Sequence, residues 1–249
     1  MTQIIGHRGS AGTHPENTIA SYQEAKRVGA DGIEIDIQLS RDEELVVIHD
    51  ATVNRTTDGK GKVNSFTVGE LKKLDAGSWF DKRFANERIP TLDEVLDFLL
   101  GNDLSINIEM KNATIPYNGM EEKLLSKIQE YKLEERVIIS SFNHQSIYHM
   151  RQMNPDLQYA IITLDKLFEP WNYLNLIGVS GIHPHGPKTD LEMIEKLIKR
   201  NHPIRVYTIN KKGDMEKFIK AKCTAMITDY PEKAVEIRKS LNIKENISC

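Results

Sequence analysis

The chain has 249 residues, 39% apolar and 28% charged, enough to bury one large core or two small ones. Lys+Arg 33 against Asp+Glu 36 gives a formal net charge of -3, which argues against a nucleic-acid partner and leaves room for a local anion site only. No apolar run is long enough to cross a bilayer, and the first residues lack the charged start and apolar stretch of a signal peptide. The expectation is a cytoplasmic protein without a stable membrane anchor, in which Cys223 and Cys249 stay reduced rather than pair.

In chain order, short β-branched runs at 4–6, 33–37, 106–110, 137–140, 159–162, 181–183, 204–208 and 225–228 predict eight strands. Helical patterns lie between them. Residues 18–28 carry Ile19, Tyr22 and Ala25 before Gly29 stops the run. Leu92, Val95, Leu96 and Leu99 form a stripe headed by Thr91 and Glu94 at capping-box spacing. Asp190 heads a helix with Leu191, Ile194, Leu197 and Ile198 on one side, and Pro231 opens the last helix, expected to fray beyond Leu241. Eight strands in βα alternation predict an α/β fold, a (β/α)₈ TIM barrel, as a single domain over 1–249.

A ninth run at 45–48 follows the second strand after a link too short for a parallel crossover. It predicts an antiparallel hairpin that lifts His49 back over the second strand. Residues 51–90, with Gly59, Gly61, Gly69, Gly77 and one short helix over 67–74, read as an insertion on the loop side of the barrel.

The chemistry concentrates on two strands. Glu34 and Asp36 share one face while Ile33, Ile35 and Ile37 share the other; Asn107, Glu109 and Lys111 repeat this against Ile106, Ile108 and Met110. On one strand alone an ordinary ion network is the simpler reading. The same inversion on two strands points instead to one divalent cation, Mg²⁺ or Ca²⁺, held by Glu34, Asp36 and Glu109. His7 and Arg8, between Gly6 and Gly9, end the first strand, and His49 ends the hairpin next to Asp50. An imidazole titrates near neutral pH and a guanidinium fork suits phosphate oxygens. Two histidines, three acids, Arg8 and Lys111 at strand ends fit metal-assisted phosphoryl transfer.

Other candidates carry less. His14 begins a segment in which Pro15 and Asn17 shape the entry to the first helix, His144 and His149 are structural or solvated, and one of His183 and His185 is a lesser candidate to touch substrate. Trp79 and Phe80 pack the insertion down. Ser140-Ser141 has no base beside it.

Taken in order, His7-Arg8-Gly9, Pro15-Glu16-Asn17-Thr18, Glu34-Ile35-Asp36, His49-Asp50, Arg55-Thr56-Thr57, Ile89-Pro90-Thr91-Leu92, Glu109-Met110-Lys111 and Thr228-Asp229-Tyr230-Pro231 resemble the glycerophosphodiester phosphodiesterase family. The resemblance runs from residue 4 to about 232 and implies a (β/α)₈ barrel with a small insertion after the second strand. It also implies hydrolysis of glycerophosphodiesters, with Glu34, Asp36 and Glu109 as metal ligands, His7 and His49 as the acid/base pair, and Arg8 and Lys111 on phosphate. Tyr207 stands where the family commonly has Trp, so it is expected to wall the glycerol or headgroup pocket with an added hydroxyl. A lysophospholipase-D-like or lyase enzyme would keep the same residues and differ in substrate or end product. A binding module that had lost the chemistry would show broken catalytic positions, which this sequence does not.

Overall fold

The computed structural model describes residues 1–247, with the backbone alone for 242–247. Strands and helices alternate as β1 (Gln3–Gly6), α1 (Ile19–Arg27), β2 (Gly32–Leu39), β3 (Leu45–Val47), α2 (Val68–Leu71), α3 (Leu92–Leu100), β4 (Ser105–Met110), α4 (Met120–Tyr131) and β5 (Val137–Ser141). There follow α5 (His144–Met153), β6 (Gln158–Thr163), α6 (Pro170–Ile177), β7 (Gly181–Pro184), α7 (Leu191–Lys199), β8 (Arg205–Val206), α8 (Lys212–Lys220), β9 (Ala225–Thr228) and α9 (Pro231–Ile247). Hydrogen-bonded neighbours run β7-β6-β5-β4-β2-β1-β9-β8, all parallel, and the bridges Ile182 to Ile204 and His185 to Tyr207 bring β7 and β8 together to close the ring. This is the expected (β/α)₈ barrel, and β3 pairs antiparallel with β2 outside it, with Ile37 opposite Val47.

The alternation in β2 explains why every one of its residues is buried. Ile33, Ile35 and Ile37 face the helices and join the main core with Ile106, Ile108, Leu96 and Leu99, while the polar set faces the barrel axis. Parallel register sets Glu34 beside Asn107 and Asp36 beside Glu109. Local signals agree with the packing. Thr91 and Glu94 form the expected capping box on α3, Asp190 caps α7 by accepting from the Met193 amide (2.8 Å), and Pro231 opens α9.

Two elements differ from expectation. The helix expected over 67–74 stops at Leu71, because the amides of Lys73 and Leu74 bond three residues back rather than four. The strand expected over 204–208 shrinks to Arg205–Val206, with Ile204 and Tyr207 held only by isolated bridges. Between β3 and α3, a separate small cluster of Val46, Ile48, Val53, Val63, Leu71, Ala76 and Ile89 packs residues 51–90 against the hairpin. Cys223 is a buried free thiol; Cys249, and with it the question of pairing, lies outside the described residues, as do the side chains beyond Leu241 where fraying was expected. Among the described residues no helix is long and apolar enough to cross a membrane.

Candidate active site

β1 ends in a tight turn that only glycine permits at two points. A Cβ at Gly6 would fall 2.3 Å from the Gly9 carbonyl oxygen, and Gly9 itself sits at φ 88° against Ser21. Arg8 between them adopts φ 51°, rare for a residue with a side chain, and its amide donates to Glu34 Oε2 (2.8 Å). The turn thereby joins the end of β1 to the acid face of β2.

Three carboxylates, Glu34 and Asp36 buried and Glu109 partly so, converge there: their ligand atoms lie within 4.8 Å of one another. Asp36 accepts from Asn17 Nδ2 (2.9 Å) on one oxygen, with Arg8 Nε 3.2 Å away; its other oxygen is buried without a hydrogen bond, 3.6 Å from Lys111 Nζ. Burial opposes its charge, but Arg8 and Lys111 hold Asp36 well below the usual carboxylate range. Glu34 is pushed up to about 8, first by burial and then by the Asp36 charge, and Glu109 rises for the same two reasons although Lys111 donates to it (2.6 Å). Three acids so close, with one buried oxygen unpartnered, suit a hard cation with oxygen ligands.

Both sequence-predicted histidines reach this cluster with the same support. His7 Nδ1 lies 2.6 Å from Asp229 and His49 Nδ1 lies 2.7 Å from Asp50. Asp229 and Asp50 both titrate below their ordinary value, so each is ionised and accepts only; Nδ1 must donate, and Nε2 is left for the pocket. Burial opposes a charged His7, but the Asp229 hydrogen bond and the Glu34 charge outweigh it and raise its pKa. For His49 burial comes first, and with Arg8 and Lys111 it outweighs Asp36 and Asp50, lowering the pKa.

The far side of the mouth is aromatic. Tyr207 meets Phe142 edge-on at 6.4 Å and His185 at 5.9 Å, and its hydroxyl donates to the Thr163 carbonyl (3.1 Å). Lys111 Nζ stands 6.0 Å from the Phe142 ring centre. Of the histidine pair at the end of β7, His185 reaches this wall while His183 is buried. His14 packs on Phe84 (5.0 Å), away from the acids, and the Trp79 indole donates to the Ala76 carbonyl (2.9 Å) within the insertion. His144 is structural, contacting the Tyr173 hydroxyl and the Ile162 carbonyl, and His149 is exposed.

Sequence reasoning assigned no role in the site to Asp229 or Gln38, and gave Asn17 only the shaping of the entry to the first helix. Gln38 was within reach of it, being the third polar residue on the Glu34 and Asp36 face. Its amide nitrogen donates to the carbonyls of Ile48 (2.9 Å), His49 (3.1 Å) and Asp50 (2.7 Å), and its oxygen accepts from Tyr117 (2.8 Å). Asp229 is 222 residues from His7, and no local pattern signals that pairing.

Fold and mouth put the chain among barrel enzymes whose chemistry sits at the C-terminal ends of the strands. Comparison with known proteins is more specific. The model of the glycerophosphoryl diester phosphodiesterase family matches residues 7–233. A glycerophosphodiester phosphodiesterase of Caldanaerobacter subterraneus subsp. tengcongensis is 45% identical, over 95% of this chain and 97% of its own. A phosphodiesterase of Oleispira antarctica, solved in complex with the product sn-glycerol-3-phosphate, shares 30% identity and a TM-score of 0.86, covering 96% of this chain and 97% of its own. The Agrobacterium tumefaciens glycerophosphodiester phosphodiesterase superposes with a TM-score of 0.85 at 29% identity, over 95% and 100% of the two chains. The chain belongs to the glycerophosphoryl diester phosphodiesterase family and is a phosphoric diester hydrolase.

Proposed function

We propose that the chain hydrolyses glycerophosphodiesters to glycerol 3-phosphate and an alcohol, with His7 and His49 as the acid/base pair and a divalent cation, Mg²⁺ or Ca²⁺, as cofactor. One observation carries the reading: two imidazoles, each with Nδ1 fixed by a carboxylate, converge on the carboxylates of Glu34, Asp36 and Glu109. The product bound in the Oleispira relative supports the substrate class.

Glu34, Asp36 and Glu109 would hold the cation; when bound it polarises a phosphoryl oxygen and lowers the pKa of a hydroxyl. Arg8 and Lys111 offset charge on the non-bridging oxygens as it builds in the transition state. One of His7 and His49 takes the proton from the nucleophile while the other gives a proton to the departing alcohol, each imidazole having its Nδ1 held by a carboxylate. If the glycerol 2-hydroxyl attacks, a cyclic phosphate forms and water opens it; if water attacks, glycerol 3-phosphate forms directly. Tyr207 and Phe142 wall the side where the glycerol or headgroup would lie. Within the cytoplasm, Cys223 would remain the buried thiol seen here.

The test is glycerol 3-phosphate release from a panel of glycerophosphodiesters, with and without chelator, by wild type and His49→Ala. Loss of about 10²–10⁴-fold is expected from the variant. Near-wild-type turnover by a folded, cation-binding His49→Ala would sink the assignment, and a cyclic phosphate as end product would move the chain to the lyases.

A further inference from the structure

Beyond the residues just assigned, a chain of alternating charges joins the loops that carry the two histidines. His49 meets Asp50 through Nδ1. Asp50 then accepts from Arg55 Nε (2.8 Å) and Nη2 (3.1 Å). The same guanidinium donates through Nη1 and Nη2 to Glu16 (2.6 and 2.8 Å), and Glu16 accepts in turn from Arg8 Nη1 (2.6 Å). Arg55 thus forks onto two carboxylates at once, one on each loop. A lysine ammonium has no such planar fork.

Stability alone does not account for this arrangement. The Arg55 side chain is 43% exposed, and partly exposed ion pairs add little to folding. Its consequence is geometric. Gln38 fixes the main chain of Ile48, His49 and Asp50 and leaves the Asp50 carboxylate free to rotate; Arg55 is what aims that carboxylate at His49. Glu16, with its side chain only 11% exposed, anchors Arg55 to the turn that holds Arg8.

We propose that Glu16 and Arg55 are positioning residues: Arg55, braced by Glu16, keeps Asp50 on Nδ1 of His49, which fixes the tautomer and direction of His49 and its register with Arg8. The proposal rests on the role given to His49 above.

The experiment compares Arg55→Gln, Arg55→Lys and Glu16→Gln in the full chain, alone and combined with His49→Ala. It records kcat, KM, cation binding, thermal unfolding and ¹⁵N spectra of the histidine rings. Each single variant is expected to lose about 10–100-fold in kcat, with KM, cation binding and unfolding near wild type. The His49 ring should change from a locked Nδ1–H form to mixed tautomers. In the His49→Ala background, Arg55→Gln should cost nothing further, because the ring through which it acts is gone. An unchanged kcat, a loss confined to KM, or an unaltered His49 spectrum would each overturn the proposal; so would an equal loss in the His49→Ala background. A fully active His49→Ala would instead remove the reading beneath it, so the two failures are distinguishable.

Discussion

Replacing Gln38 by leucine tests how much of the site depends on one buried amide. Gln38 is 1% exposed; its two amide hydrogens are shared among the carbonyls of Ile48, His49 and Asp50, and its oxygen accepts from the Tyr117 hydroxyl. The orientation of the amide is fixed, since the opposite flip would turn its oxygen toward three carbonyl oxygens. Leucine keeps the volume and removes every bond. Water can reach the half-buried His49 and Asp50, but the Ile48 carbonyl and the Tyr117 hydroxyl are stranded. Two stranded buried groups, at about 1–3 kcal/mol each, give an expected loss of about 2–6 kcal/mol. At this chain length that lowers Tm by on the order of 10 °C. Released at its backbone, His49 should also cost about 10–100-fold in kcat. Gln38→Glu keeps the shape and the acceptor for Tyr117 but sets a carboxylate against three carbonyls, beside acids already crowded. It must take up a proton to fold, so its folded pKa lies above its unfolded value and its stability should fall as pH rises. Thermal melts and steady-state kinetics on both variants supply the check. If Gln38→Leu melts with wild type and keeps its kcat, the apolar cluster under the hairpin holds His49 without help and the reasoning fails.

Three further outcomes follow from the same geometry. Chelation should reduce turnover to background, and Glu109→Gln should weaken cation binding measured by calorimetry; full activity in chelator would exclude the metal. Without cation, folded Glu34 holds a proton up to about 8 whereas its ordinary value is 4.5, so between these limits the folded chain binds more protons and stability falls as pH rises. The depressed Asp36 acts below its ordinary 3.8, outside that window. A cation that binds the folded carboxylates should therefore raise Tm more at the upper end of the window than at the lower, and an equal shift at both ends would contradict this. Tyr207→Phe removes only the bond to Thr163 and should keep kcat/KM close to wild type, while Tyr207→Ala removes the ring and should raise KM; equal losses from both would make the hydroxyl, not the wall, the functional part.

What the sequence made legible follows from where each signal resides. Glu34, Asp36, Glu109 and Lys111 stand out because a strand has period two, and acids alternating with isoleucines leave only the barrel axis for the acids to face. The hairpin was legible from a chain-length argument, and with it the arrival of His49 over β2. The same period carries on to Gln38, which was passed over because an amide suggests neither a ligand nor an acid. Asp229 and the Glu16–Arg55 pair were invisible for a different reason. Barrel closure makes β1 a neighbour of β9, so the partner of His7 comes from the far end of the chain, and Arg55 crosses 39 residues to reach Glu16. Spacing within a segment reports the face a residue occupies; the partner it meets there is decided by which strands are adjacent and by where the insertion lands. The residues that bear charge toward the axis are therefore readable one strand at a time. Those that aim them across the chain, such as Asp229 and Arg55, become readable only once the ring is closed and residues 51–90 are folded against the hairpin.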